Sequence, residues 1–263
     1  MADAPPPSPK ILITGFGRFL SIAVNPSYEI ARQLPNTITT RNTTAQVIVP
    51  GTAIPAKYHE ILDLTTKLIE EHKPDIVLHM GLAHGRGYFA VEKGAERDGY
   101  HEVPDEGRRV LTRAENKKVF AKEGARLDST LDLGAVVVGW QDETRGIVLS
   151  LQGAAPGARP GAVDEKIKEK GKGKQKMKGA ADSSFKGTAS SSQVDVRLSD
   201  DVGNYVCGFQ YYVSLLEMQK RTGRRDTVFL HVPYLESLEE IQIGVRVTEG
   251  LIRALVGVWL DRQ

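Results

Sequence analysis

Short apolar runs alternate along this chain with stretches of helical period. Residues 10–16 (Lys-Ile-Leu-Ile-Thr-Gly-Phe) predict a buried strand that empties into a loop at glycine. Asn25 as cap and Pro26 at the first helical position predict a helix to about Leu34. Residues 44–50 alternate as a second strand. Residues 56–71 place Ile61, Leu62, Leu64, Leu68 and Ile69 at helical spacing, and Pro74 stops that helix. Residues 75–80 form a third strand, which runs into the Gly-rich loop 81–86. Residues 88–91 are a further apolar run. Residues 104–109 read as a polar turn and residues 116–140 as helical in part, with 131–140 apolar. A strand at 193–198 precedes an aromatic-rich helix that ends near Gly223. Residues 226–234 are a strand closed by Pro233, and the last helix lies within 238–260. Strand–helix–strand order with short links implies parallel βαβ units. The expected fold is therefore α/β, with helices on both faces of a mostly parallel sheet.

Two segments break the pattern. Residues 1–9 are a Pro-rich tail, expected to be disordered. Residues 155–191 are rich in Gly, Ser and Lys and nearly devoid of large apolar side chains, so they cannot bury enough surface to offset the cost of ordering. They read as a low-complexity insertion in a single domain spanning 10–263. The net charge of +2 is concentrated there, so the rest of the chain is more acidic than the total suggests, and no nucleic-acid partner is expected. No apolar run reaches the length of a membrane span, and the first residues lack the apolar region of a secretory signal. The lone cysteine rules out an intrachain disulfide. A reducing, cytoplasmic setting is expected.

That cysteine, Cys207, falls in the first turn of the aromatic-rich helix, where unpaired N–H groups and the macrodipole favour an anion. A lone cysteine at such a position is more often a small buried hydrophobe than a nucleophile. If it is a nucleophile it needs an imidazole and an acid to orient the imidazole. Of the six histidines, His231 fits best, at a strand end 24 residues beyond Cys207. His84, in the Gly-rich loop, is second. His79, in mid-strand, reads as a hydrogen-bonded core residue, and His59, His72 and His101 as surface positions. Glu92, directly after a strand, reads locally as a surface residue. Phe16 and Phe19 flank glycine in the first loop, a composition that suits either core packing or a walled ligand slot. No metal-ligand spacing, phosphate loop or dinucleotide fingerprint is present, so neither metal nor cofactor is expected.

Four segments together resemble the pyroglutamyl peptidase I (pyrrolidone carboxyl peptidase) family of cysteine peptidases. They are Thr14-Gly-Phe-Gly-Arg-Phe19 with Asn25-Pro-Ser27; Pro74-Asp-Ile-Val-Leu-His-Met-Gly-Leu82; Ser199-Asp-Asp-Val-Gly-Asn-Tyr-Val-Cys207 with Tyr211-Tyr-Val-Ser-Leu215; and Leu230-His-Val-Pro-Tyr234. The resemblance, closest in overall pattern to a fungal member, implies a three-layer αβα sandwich with a mixed, mostly parallel sheet. It implies a triad of Cys207, His231 and Glu92, against the local reading of Glu92, and a lactam pocket of Phe16, Phe19 and Asn25. It further implies peptides with an N-terminal pyroglutamate as partners, with monomer and homotetramer both open. The chain departs from the bacterial pattern at Glu102, where an arginine is usual, and at Arg18 and Leu20 in the first loop. Those departures leave in play a catalytically impaired binder of pyroglutamyl ends, and the basic insertion leaves in play a scaffold that recruits a partner through it.

Overall fold

The computed structural model describes residues 8–19, 22–41, 43–150 and 192–263. The expected insertion at 155–191 and all but the end of the Pro-rich tail lie outside them, as does Leu20. The centre is a seven-stranded sheet in the order β10-β5-β11-β4-β1-β3-β2. Its strands are β1 (Lys10–Gly15), β2 (Thr37–Thr39), β3 (Thr44–Ile48), β4 (Ile76–Leu82), β5 (Phe89–Glu92), β10 (Val196–Ser199) and β11 (Thr227–Val232). Neighbours pair in parallel except β2 with β3 and β5 with β11. Two small ribbons flank the sheet: β6 (Gly94–Glu96) with β7 (Arg126–Asp128), and β8 (Val148–Leu149) with β9 (Ser192–Gln193).

Strand alternation sorts side chains into two cores. One face presents Ile11, Ile13, Leu78, Met80, Val228 and Leu230, all buried, to α1 (Pro26–Ala31), α4 (Leu133–Glu143) and α6 (Leu238–Leu260). The other presents Leu12, Val77 and Phe229 to α2 (Tyr58–His72) and α5 (Val206–Thr222), with α3 (Arg113–Phe120) packed alongside through Phe120 and Tyr212. This is the expected three-layer αβα sandwich with a mixed sheet. Helix starts follow local chemistry: Asn25 and Asp132 cap α1 and α4, and Thr112 and Ser237 form capping boxes with Glu115 and Glu240. Lys57 gives α2 no side-chain cap; the carboxylate of Asp105, 47 residues on, accepts from the Tyr58 N–H at 3.0 Å instead.

Several boundaries differ from the sequence reading. The first helix ends at Ala31, and the next turn is closed by bonds such as Gln33 N–H to Ile30 O rather than by helix. The edge strand β2 has only three residues and no apolar run to betray it. The region 116–140 resolves into two helices separated by β7, because residues 126–128 pair with 94–96 instead of continuing the helix. Gly81 lies within β4, not in the loop. The last helix fills the whole of 238–260.

His79 is buried in mid-strand as expected, with Nδ1 2.6 Å from Thr14 Oγ1, while its Nε2 has no partner among the described residues. Burial lowers its pKa from 6.5 to about 3. Between those values the unfolded chain binds a proton that the fold refuses, so stability falls as pH drops through that window. Urea midpoints measured from pH 6.5 down to pH 5 should show a slope that approaches roughly 1.4 kcal/mol per unit. His79→Gln should flatten that slope.

Candidate active site

Glu92 and His231 meet across the antiparallel pairing of β5 with β11, the second and third strands of the sheet. β5 pairs with β11 so that Glu92 stands opposite Phe229 and Ala90 opposite His231. Alternation therefore puts the carboxylate and the imidazole diagonally on one face. His231 Nδ1 is 2.8 Å from Glu92 Oε1, with Glu92 fully buried and His231 nearly so. The local reading of Glu92 as a surface residue fails. Its strand runs against its neighbour and carries the carboxylate into the sheet interior, not to a solvated strand end.

The same carboxylate has two further donors. Arg86 Nη1 lies 2.6 Å from Oε1, and the Asp201 N–H donates to Oε2 at 3.1 Å. Burial alone would raise the Glu92 pKa. The hydrogen bond and charge of His231, with contacts from Ser199 and Arg86, outweigh it and hold the carboxyl at about 2. Glu92 is thus ionised at neutral pH. It accepts the Nδ1–H of His231 and leaves Nε2 as the nitrogen with a free lone pair.

Cys207 is the second residue of α5, whose first helical bond runs from Phe209 N–H to Tyr205 O. Two glycines let the thiol reach the sheet. A Cβ at Gly81 would come within 3.0 Å of the Cys207 sulfur, and Gly81 is the β4 residue in register with His231. A Cβ at Gly208 would strike the Gly203 carbonyl at 2.1 Å, so the loop before α5 packs this closely only against glycine. The residue as a whole is part-exposed, while its sulfur sits down over β4. The helix start does not deliver the stabilised thiolate expected from sequence. Burial pushes the thiol up to about 12, Glu92 adds to the rise, and Arg86 opposes it.

Beside the sulfur is a cavity of about 110 Å³ lined by Phe16, Phe19, Ile22, Asn25, Tyr205 and others. Its size suits one small ring. Phe16 is 3% exposed and belongs to the core as well as to the cavity wall. Phe19 is half-buried and tilts against Tyr205 at 5.8 Å between ring centres. Asn25 spends its amide on structure: Nδ2 donates to Gly17 O at 2.9 Å, and Oδ1 accepts from the Ser27 N–H and hydroxyl. One Nδ2 hydrogen remains for a ligand. His84 lines the same cavity but is exposed, its ring 5.4 Å from that of Tyr234, and it lacks the carboxylate that His231 has. Glu102 is exposed, with its carboxylate 3.4 Å from Asn204 Nδ2.

Sequence reasoning passed over Arg86, treating it only as the end of the Gly-rich loop. Its one signal was a cation six residues before a strand-end glutamate. Among the described residues no group of three or more His, Cys, Asp or Glu side chains could hold a metal, and no helix is long and apolar enough to cross a membrane.

Residues 9–120 match the family profile described as pyroglutamyl peptidase. The pyrrolidone-carboxylate peptidase of Pyrococcus furiosus is 24% identical over 227 residues, 86% of this chain and 81% of that one. The pyroglutamyl-peptidase 1 of Rattus norvegicus is 24% identical over 254 residues, 96% and 92% of the two chains. The solved pyrrolidone carboxyl peptidase of Thermococcus litoralis superposes with a TM-score of 0.64 at 16% identity, covering 97% of this chain and 96% of that one, a likeness of fold. The chain is similar to pyroglutamyl peptidases, in its first 120 residues by family profile and along most of its length by these relatives.

Proposed function

We propose that the protein is a cytosolic cysteine-type exopeptidase that removes N-terminal pyroglutamate from peptides, with Cys207, His231 and Glu92 as its triad. The observation that carries this reading is the fully buried Glu92–His231 pair at 2.8 Å, beside the strand position over which the only sulfhydryl sits. The pyroglutamyl ring is flat and uncharged, with one N–H, one C=O and an apolar edge. Phe16 and Phe19 wall it, and Asn25 offers its remaining N–H to the ring carbonyl. A free α-ammonium would bring an unpaired charge into an apolar slot and be rejected.

The chemistry follows from the protonation states. The thiol is held protonated at rest, so attack and proton transfer go together: Cys207 Sγ bonds to the pyroglutamyl carbonyl carbon while its proton passes to His231 Nε2. Ionised Glu92 stabilises the resulting imidazolium. The oxyanion faces backbone N–H groups in the first turn of α5; Glu102, being anionic, gives it no help. Collapse breaks the C–N bond, and the leaving amine takes the proton from His231. Water, deprotonated by the same imidazole, then hydrolyses the thioester.

A binding-only protein is the second reading, favoured by the raised thiol pKa and the anionic Glu102. A fluorogenic pyroglutamyl amide separates the two, since a binder gives affinity without turnover. The peptidase reading expects hydrolysis that Cys207→Ser lowers by at least about 10³-fold. Activity that survives this change, or that a chelator abolishes and alkylation does not, overturns the mechanism. Phe19→Ala, on the half-buried wall, should lower kcat/KM by about 10- to 100-fold, mainly through KM, in steady-state kinetics.

A further inference from the structure

Arg86 is the group in the site that the triad does not account for. Its side chain is 14% exposed and lies beside a carboxylate that is fully buried. Nη1 is 2.6 Å from Glu92 Oε1, the oxygen that also faces His231 Nδ1. Nη2 donates to the Asp201 carbonyl at 2.6 Å, and the Asp201 N–H returns to Glu92 Oε2 at 3.1 Å. One guanidinium thus closes a ring between the β5 carboxylate and the loop that leads into Cys207. Its own loop is pinned by the Arg86 N–H to Ala83 O bond at 2.9 Å. The titratable groups around this ring are Glu92, His231, Cys207 and Asp201; the Asp201 carboxylate is 85% exposed and 3.7 Å from Nη2. The Tyr211 hydroxyl, from α5, donates to the Glu92 carbonyl at 3.0 Å.

We propose that Arg86 is a positioning residue of this site: it clamps the Glu92 carboxylate in the orientation His231 needs, ties that carboxylate to the Cys207 loop, and supplies the positive charge that balances it. Without this charge, the buried Glu92 carboxylate would act on its neighbours unopposed. The thiol would then hold its proton more tightly, through repulsion of its thiolate. Arginine is suited to the task because its planar fork reaches two acceptors at once, which an ammonium cannot do in the same geometry. The inference deepens the peptidase reading and rests on it only for its kinetic part.

The test uses the full chain and two readouts. Cys207 is the only cysteine, so the rate of alkylation by iodoacetamide against pH reports this thiol alone and needs no substrate. Arg86→Met should move the alkylation midpoint to higher pH and lower kcat/KM on the order of 10²-fold, with its pH profile displaced in the same direction. Arg86→Lys should keep the midpoint near that of the wild type and lose about tenfold in kcat/KM, because the charge stays and the bridge to Asp201 goes. An Arg86→Met protein with an unmoved midpoint overturns the proposal, whether its activity is kept or lost, since a merely structural role lowers activity without moving the titration. Should Arg86→Met not fold, Arg86→Lys decides: kcat/KM equal to the wild type overturns the clamp. A wild type that alkylates normally but does not cleave pyroglutamyl amides removes the peptidase reading and leaves the alkylation comparison intact.

Discussion

A fully buried carboxylate that stays ionised is the constraint on which this site depends. Taking a carboxylate out of water costs several kcal/mol unless its lone pairs are met by donors and its charge by a counter-ion. Glu92 meets both conditions with partners from three places: His231 on β11, Arg86 on the loop after β4, and the Asp201 N–H on the loop before α5. Each partner is held in its turn. His231 lies in register between β4 and β5, and the Asp201 carbonyl accepts from Arg86. Satisfying one anion therefore brings together the segments that carry the imidazole and lead to the thiol.

The reversed strand β5 makes this possible. In a purely parallel sheet, functional side chains collect in loops beyond the carboxyl ends of the strands. Here β5 runs against β11, so its last residue is level with the interior of β11 rather than with its end. The acid thereby reaches the imidazole through the pleat, diagonal to it on one face. The thiol arrives from the helix layer above and settles over Gly81, where any side chain would occupy its place. Imidazole and acid are thus built on strands and the thiol on a helix start, with the adjoining cavity left largely to the loops.

Burial has a cost for the thiol. The enclosure that keeps the Glu92–His231 pair dry also keeps the Cys207 thiol protonated, against the pull of the helix N-terminus. The partial charge of a helix end contributes on the order of 1 kcal/mol. That is too little to offset removal of a thiolate from water beside a carboxylate. In the proposed mechanism the imidazole takes the proton as the bond forms, which makes its tautomer, and so its bond to Glu92, more consequential than in a site with a resting thiolate.

Much of the fold was legible because interior strands and amphipathic helices are written in local periodicity: β1, β4, β11 and α2 follow directly from their apolar spacing. The three-residue strands β2, β6 and β7 were not, since they bury too little to leave a pattern and exist only because a partner lies alongside. Cys207 and His231 were nameable as candidates from residue type and position, and with them Phe16, Phe19 and Asn25 once the motifs were taken together. Glu92 was misplaced by its neighbours in sequence, and only the resemblance set it beside His231. Arg86 was passed over altogether. The chain by itself determined which segments are buried, where helices start and which residue is the sole thiol, because those depend on interactions a few residues long. Tertiary structure alone decided that β5 runs backwards, that Asp201 and Arg86 close on Glu92, and that the thiol rests protonated, because charge burial and pairing across more than 100 residues depend on what surrounds a group in space.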